Sequence, residues 1–419
     1  MKSLSLLLRA VGTAALLISF ASCTENLDSS AVCKVLCPAV GGEIQNITLD
    51  AVVLDTTVQS LSGLGTEPAL LLASRGDTLD ARVIVRFDSL PTRFTPVSDT
   101  SRLISSVDSA YILFKLDTLT IKGTGPVTIE AYDVDTAAND TLTAAVLALF
   151  RPDRFISSQT FTRAQLTDSL KYYISNATVL AKIQSRQRLR VGLRATGPSS
   201  TQLRFFSTEG GISPDLFFRA TPDTVTKPLN VIPFSRTPVG ESIAAVHLSD
   251  YTIIAKGPTP ASPFDLAVGG LPPRRAYFRF DIPRNLVDSS IVVRATLLLN
   301  QIPSSSIDPT EVVKLIPGIV LAGAAVKDPA KASQISTDIA LDTLSVTPGG
   351  SGLAQVELAN AFAIWRTQSP DSTPRAIILR SINEGNSPLE IIFSSSEAAA
   401  SLRPRLRISF TPRVPLGLP

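Results

Sequence analysis

Histidine occurs once in this 419-residue chain, at position 247, tryptophan once, at position 365, and cysteine only three times. A single histidine leaves a Ser-His-Asp triad one candidate base, and no Gly-x-Ser-x-Gly stretch supplies a nucleophile for it. One histidine beside a lone Cys33-x-x-x-Cys37 pair also falls short of a four-ligand zinc site. Charge of either sign is not in excess. The formal net charge is +3, and Lys2 and Arg9 lie in the segment read below as a removable signal, so the remainder is close to neutral. Nothing in that balance points to nucleic acid. Long apolar runs are missing too, except near the start, where Ala10–Phe20 is broken only by Gly12, Thr13 and Ser19. That run is too short to span a bilayer as a permanent helix.

What is present begins with that start. Lys2 and Arg9, the apolar run, and Phe20-Ala21-Ser22-Cys23 together resemble a bacterial lipoprotein signal with its lipobox. The resemblance implies cleavage before Cys23, acylation of Cys23, and export. Thr24, in place of an inner-membrane-retaining aspartate, directs the expectation to the outer membrane, on its periplasmic face or at the cell surface. Polar residues 24–30 read as a tether. With Cys23 acylated, Cys33 and Cys37 remain to form a disulfide in an oxidising compartment. A loop so short removes little chain entropy and would only staple the tether.

The remaining chain predicts an all-β fold. Short alternating segments rich in β-branched and aromatic residues stand at 82–88, 110–117, 127–132 and 189–194, and again at 275–281, 290–299, 375–380 and 405–410. The two sets align as an internal repeat. Asp55-Thr-Thr-Val58 matches Asp250-Tyr-Thr-Ile253, Leu72-Ala73 matches Leu266-Ala267, and Arg86-Phe87-Asp88 matches Arg279-Phe280-Asp281. Further on, Leu193-Arg194 matches Leu379-Arg380, and Phe206-Ser-Thr-Glu209 matches Phe393-Ser-Ser-Ser-Glu397. Each copy is expected to hold one short helix, marked by Leu166, Leu170 and Tyr173 in the first and by Leu358, Phe362 and Trp365 in the second, all at i, i+4, i+7. The organisation read from this is a signal (1–22), a lipidated tether (23–46), a first β-sandwich module (47–220), a proline-rich linker (221–240) and a second module (241–413).

Residues 266–283, with Arg274-Arg-Ala-Tyr-Phe-Arg-Phe-Asp281, and Ser290–Leu299 resemble the DNRLRE-type β-sandwich modules of secreted bacterial proteins. The Phe393-Ser-Ser-Ser-Glu397 stretch and Arg403-Pro-Arg-Leu406 extend the resemblance to the module's end. It covers most of the second copy, and the first copy is more divergent. It implies two tandem jelly-roll-like domains that bind rather than catalyse, with a polysaccharide, cell-wall polymer or envelope protein as partner.

Glu130, Asp133, Asp135 and Asp140 offer clustered oxygens of the kind calcium accepts, although the segment lacks an EF-hand's glycine and distal glutamate and a plain solvated acidic turn is the favoured reading. No other cofactor is expected. Arg274, Arg275 and Arg279 form a basic cluster able to meet a carboxylate, with Tyr277 and Tyr132 as sugar-stacking candidates. His247 and Tyr251 share a strand face and need no catalytic role. Trp365 sits in an apolar helical stripe and is expected in the core. The expected function is a lipid-anchored binding protein; a purely structural lipoprotein is the alternative, and a polysaccharide-degrading enzyme comes third.

Overall fold

The computed structural model describes residues 44–413 apart from 51, 61–64, 97–99, 136–142, 198, 223–225, 236–247, 258–261, 263, 305–307, 324, 340–342 and 368–374. Cys23, Cys33, Cys37, Asp140 and His247 lie outside the described residues.

The chain opens with β1 (Gln45–Leu49) and β2 (Val52–Gln59). There follow β3 (Ala69–Arg75), β4 (Leu79–Phe87), β5 (Arg93–Phe94), β6 (Arg102–Leu103), β7 (Ser109–Lys115), β8 (Val127–Asp133), β9 (Phe155–Phe161) and β10 (Ser169–Tyr173). Next come β11 (Leu189–Thr196), β12 (Thr201–Phe206), β13 (Asp215–Arg219), β14 (Leu229–Val231) and β15 (Asp250–Lys256). The second half carries β16 (Asp265–Gly269), β17 (Arg274–Phe280), β18 (Ser290–Ile302), β19 (Val313–Val320) and β20 (Ser336–Asp338). It ends with β21 (Leu344–Val346), β22 (Gly352–Glu357), β23 (Ala376–Ser381), β24 (Glu390–Ser394) and β25 (Arg405–Pro412). All eight segments read as strands from alternation fall on strands, within the usual slack at element ends.

In the first half, the sheet β12-β3-β4-β11-β8-β9 faces the sheet β10-β7-β13-β14. Between them lies a core that includes Phe87, Phe114, Tyr172, Phe205 and Phe218, each with no exposed surface. In the second half, one continuous path runs β1-β25-β18-β24-β16-β17-β23-β19-β20. Its two ends enclose a separate core around Phe278, Phe280, Phe362, Phe393 and Trp365. Period-two burial drives both, since one face of each strand must leave water while the other stays wet. The repeat-equivalent Phe87 and Phe280 are buried in corresponding places in the two cores.

Two strands do not lie where the repeat places them. The Asp55 segment, expected in the first module, forms β2 and pairs with β17 in the second half. The Asp250 segment, expected to open the second module, forms β15 and pairs with β4 in the first half. Each strand bridges the two arms of a hairpin in the same way. Thr252 Oγ1 accepts the Leu71 N–H of β3 at 2.8 Å, and Thr57 Oγ1 accepts the Ala267 N–H of β16 at 2.9 Å. Asp250 accepts from Thr208, and Asp55 from Ser396, in both cases through N–H and hydroxyl. The sequence equivalence is therefore kept while the attachment is crossed. The first sandwich is a contiguous stretch running through β15, inserted after β2 into a second sandwich whose first strands precede it.

The expected helix over Leu166, Leu170 and Tyr173 is a 3₁₀ turn at Arg163–Gln165 followed by β10. Leu170 and Tyr172 are buried while Tyr173 is exposed, so the operative period in Ser169–Tyr173 is two. Among the described residues of this half, α-helices stand at Thr143–Leu147 and at Asn176–Gln184, the latter with its first turn capped by the Ser175 hydroxyl. The second expected helix is present at Ala359–Thr367, with Phe362 and Trp365 buried edge to face at 5.2 Å. The segment expected as a linker contributes β14, paired with β13, and Phe234, whose N–H and carbonyl bond to Arg86 and Asp88 on the end of β4. Its apolar Leu229 and Val231 pack on the first core, which draws it into the sheet.

Candidate ligand-binding surface

Strands β7, β10 and β13 send Ala110, Ile112, Phe114, Leu170, Tyr172, Leu216 and Phe218 inward. The alternate residues face outward, and antiparallel register aligns them. Tyr173 lies opposite Tyr111, Tyr111 opposite Phe217, and Phe217 opposite Asn230. One line across four strands thus carries three aromatic rings and ends in an amide. The Tyr111 and Phe217 rings stack at 5.4 Å and 15°, and Tyr173 tilts against Tyr111 at 5.8 Å and 57°. Tyr173 is 53% exposed. Gln159 holds it in place, its amide bonding both the N–H and the carbonyl of Tyr173 at 3.3 and 2.6 Å.

Polar groups flank the line. The Lys171 ammonium stands 5.3 Å from the centre of the Tyr111 ring, and no carboxylate pairs with it among the described residues. Asp215 sits in the next row, accepting from Ser213 and from Asn230 at 3.0 Å. A hollow of about 330 Å³ lies beside Leu113, Lys115, Ile212 and Phe217, and another of about 380 Å³ beside Gln159, Gln165, Lys171 and Tyr173. Rings rigid at little entropic cost, set among amide, ammonium and hydroxyl groups, suit a ligand that alternates apolar faces with hydrogen-bonding edges.

A third hollow, of about 290 Å³, opens beside Asp55 between Thr57, Asp265, Ser395 and Glu397. Burial raises the Asp55 and Asp265 carboxyls, whereas the Ser395 hydroxyl holds Glu397 below the ordinary range. Among the described residues no group of three or more His, Cys, Asp or Glu side chains is placed to hold a metal ion.

The residues singled out from sequence are placed differently from the expectation. Arg274 is paired with Glu390, and Arg275 makes a two-pronged bridge to Glu384 at 2.7 Å with a further bond to the Ser333 carbonyl. Arg279 is half-buried, and Tyr277 is 3% exposed within a small cluster with Val58 and Ile378. A basic, sugar-stacking face is therefore not formed there, because each of the first two arginines already has a carboxylate and the tyrosine ring is covered. Tyr132 is likewise buried, donating to Glu130 at 2.8 Å. Asp133 meets Lys182 at 2.9 Å, and Asp135 meets Arg188 and, at 3.6 Å, the same Lys182, so these carboxylates gather around a side-chain ammonium of the chain itself. Tyr251 is buried, which pushes its hydroxyl up to about 12. The i, i+4, i+7 spacing of Leu166, Leu170 and Tyr173 hides the aromatic line from the sequence by placing Tyr173 on a helix. Strand alternation in Ser169–Tyr173 is the signal that finds it.

No family model matches the sequence, and no curated protein matches it. Among solved structures, the chain has a faint likeness to the Macrobrachium rosenbergii nodavirus structure, at 7% identity and a TM-score of 0.16, covering 89% of this chain and 91% of that one. The infectious bursal disease virus Gx strain structure gives 9% identity and 0.15, over 90% and 81%. The T=3 Penaeus vannamei nodavirus structure gives 11% and 0.10, over 89% and 90%.

Proposed function

We propose that this chain is a lipid-anchored envelope protein of two jelly-roll-like, DNRLRE-type modules, exported to the outer membrane, that binds a carbohydrate or cell-wall polymer without transforming it. The observation that carries the binding reading is the outward-facing line of exposed Tyr173 and half-buried Tyr111 and Phe217, with Asn230 at its end and Lys171 above it. A sheet face serving only as a spacer gains nothing from aligned aromatics, which leave apolar surface in water. The amide and the ammonium supply the directional contacts that a sugar's hydroxyls or carboxylates require. A partner protein and a purely structural role are the competing readings.

A glycan array probed with the chain from Thr24 onward, which contains every described strand, tests this. Binding that falls about tenfold in Tyr111→Ala and Tyr173→Ala, with an unchanged fold by circular dichroism, is the expected result. Absence of any glycan hit supports the structural reading. Turnover of a bound polysaccharide overturns the non-catalytic one.

A further inference from the structure

Strand β18 is 13 residues long, a span of about 40 Å at ordinary strand rise. Its two ends meet different surroundings. Beyond its C-terminal end, Asp308 takes both guanidinium nitrogens of Arg75 at 3.1 and 3.4 Å, and Glu311 meets Lys122 at 2.7 Å. Both cations belong to the first half, so the first sandwich is coupled to this end. At the other end, Ile291 lies opposite Thr411 and Val292 opposite Phe410, which in turn lies opposite Gln45 at the start of β1. The chain therefore enters the fold beside the head of β18.

That entry is apolar and basic. Ile44, Ile291 and Val293 are 58%, 51% and 54% exposed. Val293 is the extra residue of a bulge between Val292 and Arg294, so it has no partner across the ladder. Arg407 and Arg413 are exposed, and no carboxylate pairs with either among the described residues. Against them stand Asp288 and Glu357, the latter held by Arg294 at 3.0 Å. Three exposed β-branched side chains with unpaired arginines beside them suit a surface whose apolar interior lies beneath anionic head groups.

We propose that this end of the second sandwich docks on the bilayer, with Ile44, Ile291 and Val293 entering the head-group boundary and Arg407 and Arg413 meeting lipid phosphates. The proposal rests on the lipoprotein reading, which puts the anchor at Cys23. The tether from Cys23 to Ile44 spans at most about 70 Å when extended, so it permits contact without forcing it. Docking makes the difference between a tethered and a seated protein. Seated, the second sandwich holds the first, with its aromatic line, off the membrane by roughly the length of β18.

Vesicle flotation decides this. The chain from Thr24 onward, lacking any acyl group, is mixed with vesicles of phosphatidylcholine alone or with phosphatidylglycerol. Expected is weak, salt-sensitive co-flotation with the anionic vesicles. Ile291→Asp with Val293→Asp should lower it about tenfold, while Leu353→Asp, an exposed leucine paired opposite Asn300 about 30 Å along β18, should leave it unchanged. Arg407→Gln with Arg413→Gln should remove most of the salt dependence. No flotation of the unacylated chain, or equal loss in the Leu353→Asp control, overturns the docking face. Thermal unfolding of each variant at exposed positions guards against a misfolded control. Mass spectrometry of the N-terminal peptide of the full-length protein reads the anchor separately, since an unmodified Cys23 overturns the lipoprotein reading whatever the vesicles show.

Discussion

Asp250 receives the Thr208 N–H at 2.9 Å and the Thr208 hydroxyl at 3.1 Å, and it does so from a strand that lies 42 residues further along the chain. Beside it Glu209, at the surface but with its carboxyl partly shielded from water, bonds to Asp250, and Glu67 lies close enough to add its repulsion. Loss of water pushes all three carboxyls up, with the Asp250 charge adding to the rise of Glu209, which reaches about 7. The folded state therefore holds a proton on Glu209 that the unfolded state releases above its ordinary value of 4.5. The stabilisation is present in full below that value and is lost as pH rises through about 7. The first sandwich should melt at a lower temperature at pH 8 than at pH 5.5. Glu209→Gln, which keeps a donor to Asp250 without a titratable proton, should flatten that difference; an unaltered pH profile in this variant refutes the assignment.

The crossed strands make a second prediction. If β15 completes the first sandwich, a fragment spanning 66–257 should fold alone, and one ending at 240 should lose cooperativity because the free edge of β4 loses its partner. Conversely, a fragment from 241 onward lacks β1 and β2, and with them one edge of β17. Equal cooperativity of fragments cut at 240 and at 257 would count against the crossed arrangement.

Thr57 and Thr252 isolate the bridging hydrogen bonds. Thr57→Val and Thr252→Val retain shape and β-propensity but leave the N–H groups of Ala267 and Leu71 without their acceptors. Each should cost about 1 to 3 kcal/mol in denaturant unfolding. Changes within a few tenths would mean that water or a shifted strand supplies the bond.

Most of the strand set was legible in the sequence because alternation is a local signal, and residues such as Phe87 and Phe280 revealed the repeat by their neighbours. The crossing was not legible. Asp55 and Asp250 are equivalent in sequence, and each fits the same lock, so no local residue says which hairpin receives which strand. The aromatic line was hidden for a related reason. Tyr111, Tyr173 and Phe217 come from three separated strands, and only pairing register brings them together. Likewise the ion pairs that occupy Arg274 and Arg275 involve Glu390 and Glu384, more than a hundred residues away.

The last prediction compares the two cores. Phe87 and Phe280 are 0% and 3% exposed at equivalent positions, each at the end of a central strand and each packed in its own cluster. Phe87→Ala and Phe280→Ala should therefore each destabilise by about 3 to 5 kcal/mol, through lost transfer free energy and the cavity left behind. Because the clusters are separate, the losses should fall on different unfolding transitions when the two sandwiches melt apart. Hydrogen exchange gives the readout: Phe87→Ala should release amides of β3, β4 and β11 first, and Phe280→Ala those of β17, β23 and β16. Uniform release across both halves in either variant would mean that the ion pairs Arg75–Asp308 and Lys122–Glu311, with the crossed chain connections, bind the two cores into one cooperative unit.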